Sequence, residues 1–182
     1  MVISPAVTPR GEMPGTRGSS PGGEAPPPNA RRTSADGSRV RWVPRRSNEP
    51  HGKLPRLDGR TILVVDDDPD ALELLHAILE SCGAKVLAAP STMHARGYLL
   101  TVTPDLIICD LALPREDGVA FMRTVRASTN PAVASVPAIA VTAFYEDYPP
   151  AQAQAFAAYF QKPLDIDALT GTIAALLPPR QS

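Results

Sequence analysis

Three short runs in this chain, at residues 62–65, 106–109 and 138–141, are apolar at every position (Ile62-Leu-Val-Val65, Leu106-Ile-Ile-Cys109, Ala138-Ile-Ala-Val141). A strand with one face in water alternates apolar and polar residues. A run with no polar position needs cover on both faces, the condition of a parallel sheet between two layers of helices. Two further strands are predicted at 85–88 and 158–160. Helices are predicted near 69–81, 91–101, 118–128, 151–157 and 166–177. The first helix has Pro69 in its opening turn with Asp68 before it as a cap. Its buried stripe is Leu72, Leu75, Ile78 and Leu79, with Glu73 and Glu80 facing out. Five strand–helix units predict an α/β fold, a doubly wound five-stranded parallel sheet with helices on both faces.

In such sheets ligands bind at the carboxyl ends of the strands. Here those ends read Asp66-Asp67-Asp68, Asp110, Thr142-Ala143 and Lys162-Pro163. Carboxylates crowded at one sheet edge repel one another, and a hard divalent cation such as Mg²⁺ relieves the repulsion. A carboxylate beside such a cation can attack a phosphoryl group, with Lys162 adding positive charge and Thr142 a hydroxyl donor. Taken singly, Thr142 is a strand-end hydroxyl, Lys162 a solvated lysine and Asp68 a helix cap. The set carries the argument.

The segments Ile62-Leu-Val-Val-Asp-Asp67, Asp110-Leu-Ala-Leu-Pro114, Val141-Thr142-Ala143 and Tyr159-Phe-Gln-Lys-Pro163 resemble the receiver domain of bacterial two-component response regulators. The resemblance covers about residues 60–180 and implies a flavodoxin-like strand order, 2-1-3-4-5. It implies that Asp66 and Asp67 hold Mg²⁺ and that Asp110 is the phosphoacceptor and a metal ligand. The backbone carbonyl of Ala112 is implied as a further ligand. Thr142 and Lys162 would bind the phosphoryl group, and Tyr159 would be an aromatic switch coupled to Thr142. A cis bond is implied at Lys162–Pro163. The phosphoryl donor would be a sensor histidine kinase or a histidine phosphotransfer protein. The domain would not be classed as an enzyme.

Ala112 and Phe144, each two residues beyond a site residue, flank the path of the water that hydrolyses an aspartyl phosphate in the family. Neither can orient it, so a long-lived phosphoryl group is expected. Residues 151–158 carry no charge, which puts the family's charge-paired dimer in doubt and leaves a smooth Ala/Gln face for a partner or for plain solvent. His76 and His94 have no companion at metal-ligand spacing and read as surface residues.

Residues 1–57 are a different polymer. They hold ten of the chain's 21 prolines, and ten Lys/Arg against four Asp/Glu, a formal +6. Residues 58–182 hold eight against fifteen, or −7, and together the two parts give the chain's −1. A Pro/Gly/Ser/Arg-rich segment with no apolar period does not offset the entropy of ordering. A disordered tail (1–57) before a receiver domain (58–182) is therefore expected. Six arginines between Arg31 and Arg46 surround Trp42. They read as a solvated linker or as an arm for nucleic acid or an acidic partner.

Cys82 and Cys109 form neither a disulfide framework nor a metal knuckle, and no apolar run approaches the ~18 residues of a membrane span. A cytoplasmic location is expected, with no membrane contact. Only a few residues follow the last helix, so a single-domain regulator is expected, acting on a downstream protein. The rival is a nucleic-acid-binding regulator working through the tail. A P-loop ATPase is excluded by the lack of a G-x-x-x-x-G-K-[ST] loop. An acid-nucleophile phosphatase would leave Asp110 and Lys162 unexplained.

Overall fold

The computed structural model describes residues 41–42, 54–143 and 155–177. In chain order the elements are β1 (Arg41–Trp42), β2 (Thr61–Val65), α1 (Pro69–Ser81), β3 (Lys85–Ala89), α2 (Thr92–Leu99), β4 (Leu106–Asp110), α3 (Gly118–Arg126), α4 (Pro131–Ala134), β5 (Ala138–Thr142), β6 (Ala158–Gln161) and α5 (Ile166–Leu176). All strand pairs are parallel, in the order β1-β6-β5-β4-β2-β3. Strands β2 to β6 form the expected five-stranded sheet in the order 2-1-3-4-5, each within one residue of its predicted ends. β1 is an addition. It lies within residues 1–57 and pairs Arg41 with Ala158 and Trp42 with Tyr159 at the sheet edge. Leu54 and Leu57, also before the expected boundary, pack in the core, where Leu57 is buried.

The sheet separates two apolar layers, and strand alternation assigns each residue to one of them. Leu63, Val65, Ile107, Cys109, Ala138, Ala140 and Tyr159 face the layer that holds Ala95, Phe121, Met122, Val125 and Val133 of α2, α3 and α4. Ile62, Val64, Leu106, Ile108, Ile139, Val141, Ala158 and Phe160 face Leu75 and Leu79 of α1 and Leu169 and Ile173 of α5. Complete burial of such a side chain contributes about 1.5–3 kcal/mol, which is why fully apolar strands occupy the centre.

Among the described residues, all five helices open on a capping side chain, Asp68, Ser91, Asp117, Asn130 or Asp165, that accepts a first-turn N–H. Each cap is worth about 1 kcal/mol. The helix expected at 151–157 falls largely outside the described residues, and the part that is described, 155–157, is not α-helical. The one-turn helix α4 was not predicted. Pro131 at its start and Asn130 as its cap are its local signals. No helix among the described residues is long and apolar enough to cross a membrane.

Candidate phosphoryl-acceptor site

The carboxyl ends of β2, β4, β5 and β6 meet at one edge of the sheet. Asp66, immediately after β2, is 2% exposed, and Asp110, the last residue of β4, is 6% exposed. Asp67 is exposed. One carboxylate oxygen from each of these three lies within 4.8 Å of the others. Lys162, one residue beyond β6, bridges two of them. Its Nζ lies 2.6 Å from Asp110 Oδ2 and 2.8 Å from Asp66 Oδ2. The remaining oxygens accept backbone N–H groups, Asp110 Oδ1 from Ala112 at 2.8 Å and Asp66 Oδ1 from Asp68 at 3.0 Å. Asp68 itself caps α1 by accepting from the Asp70 N–H.

Burial raises the Asp66 carboxyl above the usual value, outweighing the Lys162 hydrogen bond. Lys162 is lowered by burial, but its bonds to Asp110 and Asp66 prevail and hold it above its ordinary value. These directions are compatible. One ammonium is shared between two acids, its shorter bond goes to Asp110, and Asp66 is the more deeply buried. Three carboxylates against one ammonium leave a net negative, oxygen-only donor set, which suits a small hard cation such as Mg²⁺.

Thr142 ends β5 fully buried, and its carbonyl accepts the Lys162 N–H at 2.9 Å. The peptide bond between Lys162 and Pro163 is cis. Tyr159 lies inward, with its hydroxyl buried and without a hydrogen-bond partner, and its ring meets Phe156 edge-on at 5.5 Å. Burial pushes its phenol far up. Ala112 is half-buried beside Asp110, whereas Phe144 lies outside the described residues. Cys109 is buried in the layer below, and burial, then the adjacent Asp110, push its thiol up. His76 and His94 lie on α1 and α2 with local partners, Glu80 at 3.5 Å and Ser91 at 2.8 Å.

Three supporting residues were not read from the sequence. A Cβ on Gly118 would collide with the Asp110 carbonyl oxygen and meet Cys109 Sγ at 3.0 Å, so only glycine lets α3 start against β4. Arg96 of α2 forks onto Glu116 at 2.6 and 2.7 Å and lies 5.4 Å from the Phe121 ring centre, tying the loop after β4 to α2. Arg126, on α3, donates to the carbonyls of Ala134, Val136 and Ala155 at 2.7–2.9 Å, bracing the chain just before β6. The glycine after Asp117 was the one visible signal. The arginine partners are distant in sequence.

The profile of the response regulator receiver domain matches residues 62–174. An uncharacterized 14.6 kDa protein of Leptolyngbya boryana is 42% identical over 106 residues, 57% of this chain and 79% of its own length. The transcriptional regulatory protein ZraR of Escherichia coli K12 is 34% identical over 122 residues, 66% of this chain but 27% of that protein. The chain therefore spans about a quarter of ZraR. Among solved structures, the response regulator TrrA of Thermotoga maritima, determined in complex with Mg²⁺–BeF, superposes with a TM-score of 0.58 at 26% identity, covering 65% of this chain and 99% of that one. This chain belongs to the response regulator receiver family of two-component signal transduction.

Proposed function

We propose that this protein is switched by transfer of a phosphoryl group to Asp110 from a sensor histidine kinase or a histidine phosphotransfer protein, with Mg²⁺ bound beside it. The observation that carries this reading is Lys162 Nζ spanning Asp110 and Asp66 with Asp67 alongside. Asp66, Asp67 and Asp110 are the residues to hold the ion, together with the Ala112 carbonyl. When bound, the ion would screen the carboxylate charge that repels an incoming phosphoryl group. An Asp110 oxygen bonds to phosphorus as the donor's P–N bond breaks, and the departing imidazole takes up a proton. The Ala112 N–H fixes one Asp110 oxygen, which orients the carboxylate. Lys162 neutralises charge on the transferred group, and the Thr142 hydroxyl donates to one of its oxygens. Tyr159, inward here with an unpaired hydroxyl, is the switch residue.

Incubation with acetyl phosphate and Mg²⁺, followed on phosphate-affinity gels, tests the reading. Wild type should be modified and Asp110→Asn should not. Modification of both proteins would place the acceptor elsewhere. Ala112 offers no side chain to orient a hydrolytic water, so the phosphoryl group should persist for minutes or longer. Its loss within seconds, with no phosphatase present, would overturn that part.

The output of the switch would be a protein–protein contact or a relay step. The basic charge of residues 1–57 supports a second reading, nucleic-acid contact through the tail. Salt-dependent binding that vanishes on deleting 1–57 would favour it.

A further inference from the structure

We propose that Arg96 and Glu116 are a positioning pair for the acceptor site: by fixing the loop after β4 to α2, they set how tightly the site holds Mg²⁺. The inference rests on the reading of Asp66, Asp67, Asp110 and the Ala112 carbonyl as the residues to hold the ion. It adds two residues outside that set. The loop runs from Asp110 to Gly118. Its first part is held from within, by the Leu111 N–H on the Val141 carbonyl at 3.2 Å and the Ala112 N–H on Asp110 Oδ1 at 2.8 Å. Its end is held by the Gly118 N–H on the Leu111 carbonyl at 3.0 Å. Between them Leu113 is buried in the core, and Arg115 takes a left-handed φ of 74°. A residue with a Cβ keeps that conformation only where its surroundings impose it. The next residue, Glu116, supplies the constraint.

Arg96 grips the Glu116 carboxylate with two guanidinium nitrogens, at 2.6 and 2.7 Å. The arginine is itself held. Buried Ala95 seats α2 in the core, and the guanidinium carbon lies 5.4 Å from the ring centre of Phe121, a fully buried residue of α3. The Arg96 bonds, with a Thr92 hydrogen bond beside them, hold the Glu116 carboxyl below the usual range. Both side chains of the pair are partly exposed, 40% for Arg96 and 27% for Glu116, so as an ion pair they contribute little to global stability. What a two-bond fork fixes is geometry. It closes at Glu116, four residues past Ala112. A backbone ligand on an untethered loop must be ordered as the ion binds, whereas a tethered loop presents it already in place.

The test is Mg²⁺ titration of the full chain, followed on backbone amide resonances, with hydrogen exchange as a second readout. Arg96→Met keeps an apolar stem over Phe121 and removes the fork. It also takes a positive charge away from a cation site, so charge alone would tighten Mg²⁺ binding. The positioning role requires the opposite sign, binding about tenfold weaker than in wild type. Glu116→Gln should weaken binding too, and adding it to Arg96→Met should bring no more than about twofold further loss, because one contact is lost only once. In metal-free Arg96→Met the Ala112 and Gly118 amides should exchange about tenfold faster, while the Ile107 amide, bonded to the Pro137 carbonyl within the sheet, stays unchanged. Unchanged or tighter Mg²⁺ binding in Arg96→Met overturns the positioning role and leaves the acceptor site standing. Exchange that rises equally at Ile107 overturns it as well, since the pair would then support the whole fold. A wild type that binds no Mg²⁺ overturns the metal reading, and this inference with it.

Discussion

Gly118 lies against the backbone of Asp110, and Lys162 bonds its carboxylate. The methyl of an alanine at 118 would collide with backbone, which cannot rotate away as a side chain can. Gly118→Ala should therefore cost about 1–3 kcal/mol, an overpacking penalty. A denaturant melt showing no loss would mean that α3 slides freely on β4. Lys162→Met has a different signature. It leaves two nearly buried acids without their shared cation, for which about 1–3 kcal/mol is a fair scale given the partial exposure of Lys162. The loss should be larger in EDTA than in Mg²⁺, because a bound cation takes over the compensation. Equal losses in thermal melts under both conditions would argue that Lys162 and the metal do not share the same carboxylates. These site acids were legible in the sequence because they fall at strand ends. Gly118 was not singled out, since its demand comes from a neighbouring backbone that only the folded chain brings near.

At the scale of elements, Arg126 links α3 to the chain entering β6. Replacing it with methionine removes three hydrogen bonds to carbonyls, each worth about 1 kcal/mol net. Arg126→Met should lower stability by about 2–3 kcal/mol, and the added exchange should be concentrated at the start of β6 rather than spread over the sheet. A uniform increase would show that the arginine supports the fold as a whole and not this junction. The strands were readable to within a residue because burial on both faces leaves no polar position, a signal that needs no partner to be seen. β1 and α4 were missed for the converse reason. Two residues and four residues carry no period, and their existence depends on β6 or on the Asn130–Pro131 cap.

For the whole molecule, the acid cluster sets how stability responds to pH. Asp66 keeps its proton to a higher pH in the folded state than in the unfolded chain. Metal-free protein should therefore lose stability as pH rises from about 4, the ordinary Asp value, through the raised value of Asp66. Lys162 is raised too, so its contribution holds at neutral pH and fades only above its ordinary alkaline value. On the proposed reading Mg²⁺ would bind the ionised carboxylates, so the gap between melts in Mg²⁺ and in EDTA should widen from pH 4 to pH 7.5. It should reach about 1.4 kcal/mol at a tenfold excess over Kd. A gap that stays flat across that range would detach the metal from these acids. The two-part charge of the chain was visible in composition, whereas the pairing of 41–42 with the domain was not, because edge pairing is made by backbone and leaves no trace in side-chain pattern.

For the switch role proposed for Tyr159, the partition of the core sets a direction. Neighbours along β6 feed opposite layers: Ala158 and Phe160 pack with α1 and α5, and Tyr159 packs with α2 and α3. Swinging the Tyr159 ring out would leave a void on one side of the sheet and leave the packing of the other untouched. The sheet thus behaves as a soundproof wall. On the switch role proposed for Tyr159, a message spoken there would be heard by a listener on the α2–α3 side and be silent to one on α1.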